Sequence, residues 1–543
     1  MGIYLNSTSA YALYKGETIK PYFVDKTQML EQLFPLVDSG NNHICITRPR
    51  RFGKTVMANM IASFFSKGCD AQDIFENLAI SRHEKYNQYR NQYSVIHISL
   101  NDISEECTSY KQYIERIREL LVSDLRREYP DARACGEGNV IDTLLDIYAG
   151  NPNARFIFVL DEWDFIFHQN FVTEEDKMAY LRFLRSLLKD RPYVLMAYMT
   201  GILPIAKYSS GSELNMFVEF TMAKSPAFAD YFGFTEAEVT QLYGRYLQKS
   251  AEARVTMDGL RLWYNGYHTA SGERVYNPRS VVLALSYSSL ENYWTSAGPY
   301  DEIYYYIEHN VDEVRDDLAR MISGAAVPAK IEEYAATSTN MQTREEIFSA
   351  MVVYGFLSYE NGKVSIPNKE LLEKFADMMQ KEPSLGYVYQ LAKESARMLQ
   401  ATLSGDTETM VQILELAHDT EVPLLSYNNE VELTAVVNLV YLSARDTYRI
   451  EREDKAGREY VDFIFYPERD RNADCIILEL KVDHTPEEAI WQIKEKKYAL
   501  KFKGKIGEPE KYTGRILAVG ISYDKAEKKH QCKIEDLTDI KVS

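Results

Sequence analysis

Cysteine is scarce in this chain and nowhere paired. Six occur in 543 residues, Cys45, Cys69, Cys107, Cys135, Cys475 and Cys532, at spacings that suit neither a disulfide framework nor a zinc site. They read as reduced thiols, which fits a cytosolic setting. No apolar run reaches the length a membrane crossing needs, and no basic region followed by an apolar stretch marks a signal sequence. The myristoylation pattern is missed as well, because Asn6 stands at its hydroxyl position. A cytoplasmic protein with no membrane partner is therefore expected. Positive charge is in deficit too: the net charge of -18 excludes a uniformly basic, nucleic-acid-coating surface, though a local basic groove remains compatible with it. Repeats and low-complexity linkers are absent, so tightly docked domains are expected. The length asks for two to four of them. Tyrosine is abundant by contrast, with 40 copies, but they are spread along the chain and read as amphipathic core and interface residues.

What is present begins with Ile44-Cys45-Ile46-Thr47-Arg48-Pro49-Arg50-Arg51-Phe52-Gly53-Lys54-Thr55-Val56. An apolar strand runs into a loop ending in Gly-Lys-Thr and then into a helix, the arrangement of a phosphate-binding loop. Lys54 is placed to reach the β and γ phosphates, the Thr55 hydroxyl to ligate Mg²⁺, and the amides from Thr55 onward to face the anion. The pattern departs from the usual one: Arg48 stands where a first glycine is expected, and Pro49 removes an amide donor. Arg48, Arg50 and Arg51 are expected either to add charge in compensation or to contact a neighbouring domain. A second motif, Arg155-Phe156-Ile157-Phe158-Val159-Leu160-Asp161-Glu162, reads as a strand buried on both faces that ends in two acids. Ligands bind open α/β sheets at such strand ends. Asp161 is assigned to the Mg²⁺ shell and Glu162 to polarising the attacking water.

Residues 1–232 alternate apolar strands, at His43–Thr47, Ser94–Leu100, Phe156–Leu160 and Tyr193–Thr200, with helical patterns, as a parallel α/β domain does. Thr200 is a candidate γ-phosphate sensor, or equally a helix-capping hydroxyl. Thr235 and Glu238 form a capping box that opens a helical lid over 233–300, where Arg279 either reaches a phosphate or stays at the surface. Arg182 and Arg185 are arginine-finger candidates or simply exposed charges. A helical region over 301–412 contains the Asn361-Gly362 hairpin signal. Helices before such a hairpin suggest a winged-helix-like element, and without a basic cluster on it packing is favoured over DNA contact.

The segment over 413–543 changes character. Asn429-Glu430 opens an apolar helix, Val461-Asp462-Phe463-Ile464-Phe465 reads as one strand and Cys475-Ile476-Ile477-Leu478-Glu479-Leu480-Lys481 as another, and a helix with Gln492 follows. Alternation places Glu479 and Lys481 on one strand face with Leu480 in the core. Asp462 and Glu479 suit a hard cation such as Mg²⁺, Lys481 suits orienting water or stabilising charge on phosphate, and Glu430 and Gln492 complete the set. Lys494, Lys496, Lys497, Lys501, Lys503 and Lys505 either line a groove that tracks phosphates or form a solvated helix face.

Both halves resemble the prokaryotic AAA-ATPase-like proteins with a C-terminal PD-(D/E)XK nuclease-superfamily domain. The N-terminal marks are Val24-Asp25-Lys26-Thr27, the Arg48–Thr55 loop, Tyr231-Phe232-Gly233-Phe234-Thr235, Trp263-Tyr264-Asn265-Gly266-Tyr267 and Tyr276-Asn277-Pro278. The C-terminal marks are Asn429-Glu430, Asp462, Glu479-Leu480-Lys481 and Gln492-Ile493-Lys494. The resemblance makes the Arg-Pro-Arg-Arg-Phe-Gly-Lys loop a family trait. One departure is Tyr460, where a glycine often stands two residues before the nuclease Asp. The resemblance implies a P-loop NTPase sheet domain that binds ATP, joined to a restriction-endonuclease-like α/β domain. The leading expectation is an ATP-controlled, Mg²⁺-dependent phosphodiesterase acting on DNA or RNA, in defence or mobile-element control. The alternative is a signalling or scaffolding ATPase whose nuclease-like domain is idle and only binds nucleic acid or a partner. Oligomer formation is compatible with either.

Overall fold

The computed structural model describes residues 2–131, 139–205, 213–223, 225–250, 253–294, 307–308, 311–331, 341, 343–416, 430–451, 461–468, 470–496, 498–502 and 512–538. The chain forms two compact units, the first made of Met1–Tyr300 with Ala329–Glu370, the second of Asp301–Pro328 with Leu371–Ser543.

The first unit is built on a five-stranded sheet of β1 (Asn42–Thr47), β2 (Ser94–Ser99), β3 (Phe156–Asp161), β4 (Val194–Gly201) and β5 (Val218–Phe220), in the order β2-β3-β4-β1-β5. Every pairing is parallel. β3 and β4 are buried at every position, as continuous apolar runs require when helices cover both sheet faces. Four strands fall where the apolar runs placed them. β5 was not anticipated: its Val218-Glu219-Phe220 is short, half exposed and edge-paired, and so carries little pattern. One face is filled by the helix Lys54–Phe65, almost all of it buried, with Phe34 stacked on Tyr89 at 4.0 Å beside it.

The lid segment consists of helices Glu236–Lys249, Met257–Tyr264 and Pro278–Tyr287 around a ribbon that pairs Tyr267–His268 with Arg274–Val275. Thr235 and Glu238 form the expected capping box. The hairpin also forms, Ser358–Glu360 against Lys363–Ser365, and its turn needs left-handed backbone at Asn361 (φ 49°) and Gly362 (φ 79°). It falls within the first unit. Its Ser358 Oγ accepts from the His268 N–H at 2.9 Å, so the hairpin packs on the lid ribbon.

Gly266 lies in the same place with φ +115°, and a Cβ there would stand 1.9 Å from the Pro367 carbonyl oxygen. Gly266→Ala is expected to destabilise the protein by about 2–4 kcal/mol through left-handed strain plus a backbone clash. A thermal denaturation midpoint equal to the wild type would contradict this.

The second unit contains a mixed sheet in chain order: β6 (Tyr448–Glu451), β7 (Phe463–Pro467), β8 (Cys475–Val482), β9 (Ile516–Asp524) and β10 (Lys529–Asp536). Its one parallel pair, β8 with β9, is joined through the crossover helix Pro486–Glu495. That helix buries Ala489, Ile490 and Ile493 and is fixed at its start by a Thr485–Glu488 capping box. An apolar helix begins at Glu430 and runs to Val440, as its pattern suggested.

Candidate nucleotide site and candidate nuclease site

The phosphate loop joins the end of β1 to the helix Lys54–Phe65. Gly53, at φ 90°, caps that helix without a side chain on its first amides, which leaves them directed at whatever occupies the loop. β4 lies between β1 and β3, so Thr200 pairs with Ile46 on one side and stands next to the Asp161 end of β3 on the other. The loop residues Arg50 to Val56 line a cavity of about 830 Å³ together with Glu162, Asp164 and Arg279. Arg279 lines that cavity and is exposed.

Lys54 is buried, and its ammonium donates to the carbonyls of Arg48 and Pro49 at 2.9 Å each. Burial pulls its pKa down, opposed by the carboxylates of Asp164, Asp161 and Glu162. Asp161 is 1% exposed, and burial pushes its pKa up to about 6. The Thr55 hydroxyl is close enough to favour the ionised form, yet neither Asp161 oxygen makes a hydrogen bond of ordinary geometry. The hydroxyls of Thr200 and Tyr198 are likewise buried without a partner among the described residues. Burying polar oxygens unpaired is costly, and a hard cation with its water shell satisfies such a set. Mg²⁺ therefore fits beside Thr55 and Asp161.

Two features escaped the sequence. Glu162 takes φ +53°, uncommon for a residue other than glycine, and its Oε2 accepts from Asn101 Nδ2 at 2.6 Å. The pair is 61 residues apart, and nothing in either segment announces it. Asp164 accepts from the Ile202 and Leu203 amides at 2.9 and 2.7 Å, tying the turn after β3 to the turn after β4.

Arg48, expected either to add charge at the phosphates or to contact a neighbouring domain, is used inside the first unit instead. It is 2% exposed, its guanidinium donates to the Thr47 and Phe220 carbonyls at 2.8 Å, and it lies 4.9 Å above the Phe232 ring. It braces the base of the loop against β5, while Pro49 packs at Gly355; neither lines the cavity. Phe52 is buried edge-on to Tyr267 at 5.0 Å and anchors the loop to the lid ribbon. Arg182 and Arg185 are exposed on the helix Glu174–Leu188.

In the second unit, β7 and β8 run antiparallel with Phe463 opposite Leu478, which sets Asp462 beside Glu479. The Asp462 carboxylate accepts the Leu480 N–H at 2.8 Å, and the Asp462 N–H donates to Glu479 Oε2 at 3.3 Å. Lys481 Nζ donates to Glu479 Oε1 at 3.0 Å and to Gln492 Oε1 at 2.7 Å. Four of the expected side chains thus meet, and Leu480 is buried as alternation required. Burial, reinforced by the Asp462 charge, pushes the Glu479 pKa up to about 7 despite the Lys481 ammonium. Among the described residues no three His, Cys, Asp or Glu side chains form a metal cluster. The acidic set there is Asp462 with Glu479, and the side chain of Glu430 lies outside the described residues. Two carboxylates suit a Mg²⁺ ion that keeps several waters. Of the expected basic groove, Lys494 pairs with Glu535 and Lys496 is exposed, while Lys497, Lys503, Lys505 and the Lys501 side chain lie outside the described residues.

Residues 16–210 match the family described as Predicted AAA-ATPase, and residues 428–531 match the PD-(D/E)XK nuclease superfamily. The chain joins an AAA-ATPase-like domain to a PD-(D/E)XK nuclease-superfamily domain. The first range contains the phosphate loop with Asp161 and Glu162, and the second contains Asp462, Glu479, Lys481 and Gln492. A curated relative, an uncharacterized protein in the vnfD 5' region of Azotobacter chroococcum mcd 1, is 26% identical over 285 residues. That match covers 51% of each chain, so this chain spans about half the length of the relative. Two solved structures overlap loosely. The Walker-type ATPase PABY2304 of Pyrococcus abyssi has a TM-score of 0.35 at 10% identity, covering 64% of this chain and 94% of that one. The Aeropyrum pernix ORC2 protein has a TM-score of 0.32 at 11% identity, covering 65% and 93%. Among the described residues no helix is long and apolar enough to cross a membrane.

Proposed function

We propose that this protein is an ATP-controlled, Mg²⁺-dependent phosphodiesterase acting on DNA or RNA, working in the cytoplasm in defence or mobile-element control. The observation that carries the reading is the meeting of Asp462, Glu479, Lys481 and Gln492 within hydrogen-bond reach, in a chain that also holds a phosphate loop. We read the four sequence segments as functional parts: ATPase domain 1–232, lid 233–300, helical linker 301–412, of which Ala329–Glu370 belongs to the first unit, and nuclease-like domain 413–543.

In the first unit, Lys54 exchanges its two carbonyl partners for the β and γ phosphates of ATP, and the free amides of the helix it opens share the remaining charge. Thr55 and Asp161 would hold Mg²⁺, with Thr200 near the γ phosphate. Glu162 orients the attacking water once Asn101 releases it. In the second unit, Asp462 and Glu479 would hold Mg²⁺, Glu430 supplying a further acid. An ion held there would supply an acidified water and offset charge on the scissile phosphate. Gln492 and Glu479 fix the Lys481 ammonium where it steadies that charge.

The test is to incubate the full chain with labelled single- and double-stranded DNA and RNA, ATP and Mg²⁺, with a chelator control. Metal-dependent cleavage is expected. ATP turnover with no substrate cut would overturn this reading in favour of the idle, binding-only nuclease-like domain.

The protonation of Glu479 gives a second expectation. Below about pH 7 a divalent cation must displace its proton, so affinity should fall by about tenfold per pH unit on the acid side and level off above it. Mn²⁺ titration across that range, with Glu479→Gln as the control that removes the slope, checks it. A flat profile in the wild type would contradict it.

A further inference from the structure

Three N-terminal motifs find no use in the chemistry above: Trp263-Tyr264-Asn265-Gly266-Tyr267, Tyr276-Asn277-Pro278 and the phosphate-loop arginines 50 and 51. In the first unit they converge on one buried acid outside both sites. Glu370 is fully buried and receives four donors. The amides of Tyr293 and Trp294 donate to its Oε1 at 2.7 and 2.6 Å, and the Ser280 hydroxyl lies 3.0 Å from both oxygens. Its own carbonyl accepts from Asn292 Nδ2 at 2.8 Å. The segment 291–294 is therefore strapped down by this one residue, with Tyr264 closing its other end through bonds of 2.8 and 3.0 Å to the Glu291 backbone. Asn277 in turn caps the helix that carries Ser280.

The strap touches the phosphate loop directly. Trp294 Nε1 donates to the Arg50 carbonyl at 3.3 Å, and Arg51 Nη1 donates to the Tyr293 carbonyl at 2.6 Å. Arg51 itself is held at φ 68°, a left-handed conformation that a neighbour must sustain. Glu370 also lies in the first turn of the helix Lys369–Lys381, and from Leu371 onward that helix belongs to the second unit. Burial lifts the Glu370 pKa to about 7, against the stabilising Trp294 amide, so the group is kept at a cost that its partners offset.

We propose that Glu370 is a positioning residue for the nucleotide site. It holds the 291–294 strap against the arginines of the phosphate loop and couples the loop's occupancy to the helix that leads the chain into the second unit. The proposal rests on the ATP-site reading. An ATP that draws Arg50 and Arg51 toward its phosphates shifts the Arg50 carbonyl and the Tyr293 carbonyl bond, and Glu370 carries that shift to its own helix. A carboxylate with converging amide donors does this better than a packing contact, since hydrogen bonds fix direction as well as distance.

The experiment measures MgATP affinity and ATP-dependent amide hydrogen exchange in the full chain. In the wild type, ATP is expected to slow exchange in 291–294 and in 369–381. Glu370→Ala should weaken MgATP by about tenfold and abolish both exchange changes, and Glu370→Gln should recover most of the affinity. Should Glu370→Ala fail to fold, Trp294→Phe removes the Arg50 bond while keeping the backbone amide that Glu370 holds and an aromatic ring against Phe356, and should weaken MgATP by about threefold to tenfold. A Glu370→Ala or Trp294→Phe protein with wild-type affinity and wild-type exchange changes overturns the proposal alone. A wild-type chain that binds no ATP overturns the ATP site and the proposal together.

Discussion

Asp462→Ala is expected to abolish nucleic-acid cleavage, with a loss of about a thousandfold or more, while leaving ATP turnover in place. Asp462 is one of two acids that meet at the β7–β8 pair, and its carboxylate is aligned by the Leu480 N–H at 2.8 Å. Without it, one of two hard-oxygen donors is gone and Glu479 loses the neighbour whose charge helps lift its pKa. Lys481→Ala should approach the same loss by another route. It removes the ammonium that Glu479 and Gln492 hold in place and leaves a buried acid without its cation. ATP turnover is the internal control, because both changes lie in the second unit and the phosphate loop lies in the first. Cleavage that persists unchanged in either variant would sink the nuclease assignment.

Lys54→Ala is the second large effect: MgATP affinity should fall by about a hundredfold, read by calorimetry or a fluorescent analogue. Lys54 is the buried cation that opens the helix after the loop, and its ammonium already sits on the Arg48 and Pro49 carbonyls. Removing it leaves those carbonyls and the phosphates without a shared donor. Arg50 and Arg51 remain at the cavity, so residual weak binding is expected rather than none. Unchanged affinity would contradict the assignment of the loop.

Much of this was legible in the sequence because the signals were local. The apolar runs of β1 and β3 end in Gly-Lys-Thr and Asp-Glu, and strand alternation alone put Glu479 and Lys481 on one face with Leu480 inward. The Asn-Gly turn fixed a hairpin, since few other dipeptides accept two left-handed residues in a row. What the sequence concealed depends on distant residues. Arg48 looked like a phosphate ligand until Phe232 and the Phe220 carbonyl, more than 170 positions away, took its guanidinium inside. Asn101 and Glu370 are ordinary polar residues in their own segments. They acquire roles only when folding brings Glu162, Ser280 and Trp294 to them. The hairpin was expected in a separate helical region, and it is the His268 contact to Ser358 that ties it to the lid ribbon.

The central claim is that ATP at the first unit controls hydrolysis at the second, and one titration tests it most directly. The cleavage rate of a single labelled nucleic-acid substrate is measured at fixed Mg²⁺ while ATP is raised, in the wild type and in Lys54→Ala. The account predicts a rate that changes with ATP in the wild type and does not respond in Lys54→Ala. A wild-type rate that is the same with and without ATP would contradict it.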